Sequence, residues 1–263
     1  MYVLIYMVRK RGFSLQRYFV NTNPETNRFT INGDDYHHIA RVMRMKSGET
    51  IVCVTKEGKS AVCQIAEITD EQVVANVVKW EDETTELPIK VSIASGLPKG
   101  DKLEWIIQKG TELGATDFVP FLASRSIVKW DEKKAKKKVE RWQKIAKEAA
   151  EQSYRSKIPQ VFSPVHIKTL LEQAANYDFK LVAYEEEAKQ GEVAVLAKTL
   201  SEIKAGQSLL MVFGPEGGLS TQEISLLKEN GFSVCGLGPR ILRTETAPLY
   251  FLSAVSYHKE LLR

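Results

Sequence analysis

A chain of 263 residues that is 43% hydrophobic and 27% charged carries enough apolar material for one large core or two modest ones, which excludes disorder as a description of the whole. The formal net charge of +4 conceals an uneven spread: residues 1–47 hold eight Lys and Arg against three Asp and Glu, residues 125–157 hold twelve against five, and the remainder is acidic. Basic charge gathered into two stretches suits a polyanionic partner, whose neutralised phosphates release counterions, better than it suits a merely solvated helix face.

The chain opens on MYVLIYMV, apolar but far short of the roughly 20 residues of a membrane span, with no basic segment before it. It reads as part of an N-terminal extension, residues 1–15. Cys53, Cys63 and Cys235 form no CxxC pair, and an odd count at this spacing fits neither a disulfide scaffold nor a zinc site. Free thiols, no metal and a cytoplasmic, non-membrane protein are the expectation.

Regular patterning begins at Gln16. Short strands are predicted at Arg17 to Val20, Phe29 to Ile31, Thr50 to Thr55, Ser60 to Ile68 and Gln72 to Val78, with Lys56-Glu57-Gly58-Lys59 as a turn. One helix interrupts them, capped by Asp34 or Asp35, with Ile39, Val42 and Met43 on its apolar face and His37, Arg41 and Arg44 projecting elsewhere. This pattern predicts a small β-barrel over residues 16–86, in which Glu81 to Glu86, closed by Pro88, serves as linker.

Over residues 87–263 the rhythm becomes strand and helix in alternation. Apolar runs such as Lys90 to Ala94, Phe118 to Leu122, Phe179 to Tyr184, Leu209 to Phe213 and Ser233 to Leu237 are separated by amphipathic segments. That alternation specifies an α/β domain with a mostly parallel sheet covered on both faces.

Parallel sheets bind ligands at the carboxyl ends of their strands, which directs attention to two loops. After Phe213 the chain reads Gly214-Pro215-Glu216-Gly217-Gly218-Leu219, and Ser220-Thr221-Gln222-Glu223 then supplies a capping box for the next helix. Glycines let the backbone approach a ligand closely. Neither a triphosphate-binding lysine motif nor a dinucleotide fingerprint is present, so any ligand here is expected to contain a nucleoside without a phosphate chain, while a tight turn into a helix explains Gly214 to Gly218 equally well. The second loop, Leu237 to Ala247, places Arg240, Arg243 and Glu245 at a strand-to-helix junction where Thr244 or Thr246 is the natural cap. Cations are unfavourable at a helix N-terminus, so the arginines call for an anionic group opposite them, such as Glu216.

Together, Gly214-Pro215-Glu216-Gly217-Gly218-Leu219-Ser220 and Leu237-Gly238-Pro239-Arg240-Ile241-Leu242-Arg243-Thr244-Glu245-Thr246-Ala247 resemble the paired signature of the knotted SPOUT methyltransferases. More narrowly they resemble the bacterial family that methylates N3 of a uridine in 16S ribosomal RNA, the RsmE family. The likeness continues in Gln16-Arg17-Tyr18-Phe19, His37-His38-Ile39-Ala40-Arg41-Val42-Met43-Arg44, Gly110-Thr111-Glu112-Leu113-Gly114 and Glu148-Ala149-Ala150-Glu151-Gln152-Ser153. The first fifteen residues have no counterpart in the pattern, and Tyr154 stands where it has a glycine.

The resemblance implies a PUA-like barrel ahead of a SPOUT domain with a C-terminal trefoil knot, a homodimer, and S-adenosyl-L-methionine (SAM) as cofactor near the subunit interface. The cofactor pocket is then expected from Tyr184, Glu185, Phe213, Gly214, Pro215, Glu216, Gly217, Gly218, Leu237, Gly238, Ile241 and Leu242. Arg243 is the candidate for stabilising negative charge on the uracil, and Glu245 the weaker candidate for a base, competing with a plain helix-end role. Ribosomal RNA or the small subunit is expected to dock on Arg17, Arg41, Arg44, Lys99, Lys102, Arg125 and Arg155. His37, His38, His166 and His258 lie outside both loops and are weaker candidates. A SPOUT enzyme for another RNA site, a non-catalytic ribosome-assembly factor and a nucleotide-dependent enzyme remain as alternatives. The assembly factor leaves the glycine loop beside Arg243 unexplained, and the nucleotide enzyme lacks phosphate-binding and metal-binding residues at the strand ends.

Overall fold

The folded chain divides into two units between Thr85 and Glu86. The computed structural model describes residues 15–20, 24, 27–82, 84–127, 132–184 and 194–262. Nearly all of the expected extension 1–15, and the acidic run beginning at Glu185, lie outside the described residues.

In the first unit, β1 (Arg17–Phe19), β2 (Arg28–Ile31), β3 (Thr50–Val54), β4 (Ser60–Ile68) and β5 (Val73–Glu81) form one sheet in the order β1-β3-β4-β5-β2. β1 runs parallel to β3 and the other pairs are antiparallel. Inward side chains recur at every second position, as with Ala61, Cys63 and Ile65 on β4. Register shifts at Val62/Cys63 and Ile65/Glu67 bend the β4–β5 ladder, and the sheet curls around Tyr18, Phe29, Ile31, Ile39 and Val73. No ladder joins β1 to β2 among the described residues, so the curl stays open.

Three expectations for this unit need correction. Helix α1 (Gly33–His37) has Asn32 at its N-cap, with Asp34 and Asp35 inside the first turn and no side chain capping it. The next turn, His38–Val42, is π-helical, with the Met43 N–H bonded to the His38 carbonyl. Widening the turn rotates the following residues off the apolar face, which leaves Val42 58% and Met43 43% exposed while Ile39 alone is buried. Arg17 is also inside, donating to Ser60 Oγ at 3.2 Å and lying 3.7 Å from Glu81, so it is not an open contact for RNA.

In the second unit β6 (Lys90–Gly96), β7 (Asp117–Leu122), β8 (Gln160–Val161), β10 (Phe179–Ala183), β11 (Ser208–Phe213) and β12 (Ser233–Cys235) lie in the order β12-β10-β11-β6-β7-β8, with the short β9 (Val165–His166) also on β7. Every pairing is parallel. Alternation divides the central strands cleanly. Val91, Ile93, Leu209, Met211 and Phe213 face α2 (Lys102–Glu112), α3 (Glu132–Gln152), α5 (Ala194–Glu202) and α7 (Thr246–Ser256). Ala94, Leu210 and Val212 face α4 (Ile167–Ala174) and α6 (Thr221–Glu229). Both faces being covered, β6 and β11 are buried along nearly their whole length, as parallel strands require.

After β12, at the sheet edge, the chain returns to pack α7 on α2 beside the centre of the sheet. Phe251 of α7 is fully buried and meets Phe213 edge to face at 6.0 Å between centroids, a contact worth about 0.5–1.5 kcal/mol beyond its burial. Among the described residues no helix is long and apolar enough to cross a membrane.

Arg155 is the principal polar brace of this unit. Only 2% exposed, it binds both oxygens of Glu86 and donates to the carbonyls of Thr111 and Ala115, while Glu86 also receives the N–H groups of Ser156 and Lys157. Arg155 is therefore a second correction to the expected RNA surface, and the polar stretch 81–86 is anchored at both ends. Tyr154 adopts φ +61°, the left-handed conformation that glycine takes freely and that costs another residue about 1–2 kcal/mol. Removing Arg155 strands the Glu86 carboxylate, so Arg155→Ala should lower stability in urea unfolding by about 3–5 kcal/mol. The exposed neighbour change Lys157→Ala should stay within about 0.5 kcal/mol.

Candidate active site

The central neighbours β6 and β11 send the chain in opposite directions, β6 through α2 to β7 and β11 through α6 to β12. Diverging connections open a crevice at the carboxyl ends of the two strands. Gly96 closes β6 there, with its backbone against the glycine loop: a Cβ at Gly96 would lie 2.6 Å from Pro215 Cδ and 2.8 Å from Pro215 N. Only glycine permits this approach. Gly218 has φ +68° with open space where a side chain would stand, so this part of the loop presents bare backbone.

Side chains from β7's end fix the loop. Arg125 donates to the carbonyls of Gly217 at 3.1 Å and Leu219 at 3.4 Å, and a Cβ on Gly217 would press on Arg125 at 3.0 Å. The glycine at 217 thus makes room for Arg125. The capping box of α6 is present, and its Glu223 does more than cap. Its carboxylate receives the N–H and hydroxyl of Ser220 and the N–H and hydroxyl of Ser124, at 2.8–2.9 Å. Burial pushes this carboxyl's pKa up, but the four donors outweigh it and hold it below the ordinary carboxylate value.

A second cluster joins the two loops. Glu216 Oε1 accepts from the Lys99 N–H at 3.1 Å and from Lys102 Nζ at 2.8 Å, and Lys102 Nζ is also 3.6 Å from Glu245 Oε2. Glu216 raises the Lys102 pKa. The Glu216 carboxyl, opposed by partial burial, is held below its usual range by Lys102 and by N–H donors. Between Gly236 and Leu242 no backbone group is hydrogen-bonded to a described residue. Bare glycine backbone and backbone groups without an internal partner leave donors and acceptors for a ligand.

The structure brings most of the sequence-predicted residues to this edge, with different roles. Tyr184 continues β10 and donates its N–H to Cys235, and Glu185 lies outside the described residues. Phe213 points into the core at 2% exposure, so only its backbone can face a ligand. Pro215 is buried, Leu237 and Leu242 are half-buried, and Ile241 is 76% exposed. Gly238, at φ +86°, lies beside the Tyr250 hydroxyl. Arg240 and Arg243 are exposed, and neither guanidinium has a hydrogen bond or ion pair among the described residues. Glu245, not Thr244 or Thr246, occupies the N-cap of α7, and no side chain caps it, because the N–H groups of Thr246 and Ala247 bond the Arg243 carbonyl instead. Arg41, Arg44 and Lys99 are exposed, as expected of RNA contacts, whereas Lys102 and Arg125 are engaged as described.

Gly96 and Ser124 were not singled out from sequence. Gly96 closes an otherwise apolar strand, and Ser124 has no motif of its own. Lys102 carries a clearer signal, a lysine in the first turn of a helix, where the dipole disfavours it.

Residues 85–256 match the RNA methyltransferase domain model, and residues 31–78 match the RNA methyltransferase PUA domain model. The Ribosomal RNA small subunit methyltransferase E of Bacillus subtilis (strain 168) is 55% identical over 253 residues, covering 95% of this chain and 99% of that protein. The chain belongs to the ribosomal RNA small subunit methyltransferase E family. The family member from Neisseria gonorrhoeae, solved bound to S-adenosyl methionine, superposes with a TM-score of 0.81 at 27% identity, covering 92% of this chain and 97% of that one. A methyltransferase from Legionella pneumophila, also solved with that cofactor, gives 0.79 at 27% identity, covering 93% and 98%. The curled first unit is accordingly PUA-like, and the parallel α/β unit is the methyltransferase domain of this family.

Glu223 offers a pH test of the geometry. With its folded pKa below the ordinary 4.5, ionised Glu223 stabilises the fold above that value, and the contribution is lost as pH falls through the folded pKa. Glu223→Gln should therefore lower unfolding free energy by about 1.5–3 kcal/mol at neutral pH. The gap from wild type should close in acid, and a gap unchanged down to the acid limit of folding would refute this role.

Proposed function

We propose that this protein transfers the methyl group of SAM to N3 of a uridine in small-subunit ribosomal RNA. The observation that carries the reading is the crevice at the ends of β6 and β11, bordered by the glycine loop, which Lys102 links to Glu245 of the loop after β12, in a chain of this family. Residues 1–15 are read as an extension, 16–86 as the PUA-like RNA-binding domain and 87–263 as the catalytic domain. SAM, when bound, supplies a sulfonium methyl already activated for in-line attack. Backbone groups of Tyr184, Phe213 to Gly218 and Leu237 to Leu242 are the ones to hold it.

The chain's own task is positioning and charge. The uridine imide is protonated at neutral pH, so N3 becomes nucleophilic as its proton leaves and negative charge spreads onto the carbonyls. Arg243 is exposed, unpaired among the described residues and fixed by backbone bonds at the start of α7, which suits it to stabilise that charge. A guanidinium cannot itself be the base. Glu245 faces Lys102, which favours a charge-partner role over proton removal.

Exposed Arg41 and Arg44 in the first unit, and Lys99 in the second, are read as contacts to ribosomal RNA or the small subunit in the cytoplasm. The return of the chain from β12 to α2 supports a trefoil knot. Tyr250, Tyr257, Leu261 and Leu262, each 41–66% exposed at the C-terminal end, support a homodimer.

Two variants test this reading. Gly96→Ala should displace Pro215 and weaken SAM binding by about tenfold or more in calorimetry. Arg243→Ala should bind SAM nearly normally yet methylate subunits lacking the modification about 10² to 10³ times more slowly. Digestion of the product RNA should yield 3-methyluridine. An Arg243→Ala enzyme within a few-fold of wild type would make that arginine structural.

A further inference from the structure

Lys102 begins α2, where the helix dipole disfavours a cation, yet it lies between two carboxylates from different loops. Those carboxylates differ in what else holds them. Glu216 keeps a second donor, the Lys99 N–H, if the ammonium is removed. The Oε2 of Glu245 is buried and accepts no hydrogen bond, so Lys102 is its one charged partner among the described residues. Two residues before Glu245 stands Arg243, exposed and without an ion pair among the described residues.

We propose that Lys102 is a positioning residue that occupies Glu245 and so keeps Arg243 free for the substrate. This rests on the reading of Arg243 given above. A carboxylate released two residues from a long, uncommitted guanidinium is drawn to it through charge-assisted hydrogen bonds. A guanidinium so paired has its field largely cancelled and no longer favours an anion on the uracil. Glu216 keeps the Lys99 N–H and Glu245 pairs anew with Arg243, so neither carboxylate is stranded and the loss of Lys102 shows chiefly in the rate of methyl transfer. A phosphate contact, the role the charge pattern alone suggests for Lys102, would show instead in affinity for RNA and in its salt dependence.

Single-turnover methylation of subunits lacking the modification, with SAM titration and salt-dependent subunit binding on the same variants, separates these roles. Lys102→Ala should slow transfer by about tenfold or more, with both affinities within about threefold of wild type. Lys102→Arg should retain most of the rate, and Lys102→Gln serves if the alanine variant folds poorly. Adding Glu245→Gln to Lys102→Ala should recover most of the lost rate, because the carboxylate that captures Arg243 is gone. In an Arg243→Ala background, Lys102→Ala should slow transfer no further. Losses that multiply, failure of Glu245→Gln to restore the rate, or a flatter salt slope as the main effect would overturn the proposal. If Arg243→Ala is slow while Lys102→Ala is normal, only this proposal falls. If Arg243→Ala turns over at the wild-type rate, the reading beneath it falls as well.

Discussion

Everything at the candidate site depends on a close backbone approach between two buried parallel strands that part company at their carboxyl ends. β6 and β11 are hydrogen-bonded from Lys90/Ser208 to Ser95/Phe213, and beyond that register Gly96 and Pro215 touch with no room for a methyl group. From this point the chain leaves in opposite directions, so the glycine loop and the end of β6 are fixed by the most deeply buried strands of the domain. Loops carrying chemistry are usually the least stable parts of a fold. Here they are rooted in its centre, with Arg125 and Glu223 tying the glycine loop to the end of β7.

The charged groups around that crevice show how one electrostatic requirement satisfies another. Arg240 and Arg243 raise the positive charge at a helix start, where the dipole already opposes it. Two carboxylates, Glu216 and Glu245, belong to the same pair of loops. Lys102 and the Lys99 N–H engage those carboxylates, which divides the site into a satisfied cluster and a pair of uncommitted guanidiniums. Arg155 solves a different problem with the same chemistry, directing four hydrogen bonds to Glu86 and two carbonyls inside the domain.

What was legible in the sequence follows from the range of the interactions involved. The alternation of apolar strands and amphipathic helices and the Ser220–Glu223 capping box are local patterns, and the structure contains both. Arg17 and Arg155 look like any other basic residue until partners 43, 69 or 40 positions away are brought to them. Val42 and Met43 were placed on an apolar face by a period of 3.6, which a single π-helical turn displaces. The N-cap of α7 was assigned to a threonine because threonine usually caps, whereas the bonds from Thr246 and Ala247 to the Arg243 carbonyl left it nothing to do. Tyr154 stood out as a departure from the family pattern, and the backbone kept the glycine-like conformation despite the larger side chain.

The four donors converging on Glu223 have a consequence for how the domain breathes. Two come from Ser124 on the loop after β7 and two from Ser220 at the start of α6, and the same stretch holds Arg125 against Gly217 and Leu219. A local opening of any one of these segments must break charge-assisted bonds that the others share. Amide hydrogens across 124–126 and 217–223 are therefore expected to exchange with solvent together, with opening of the glycine loop coupled to the first turn of α6.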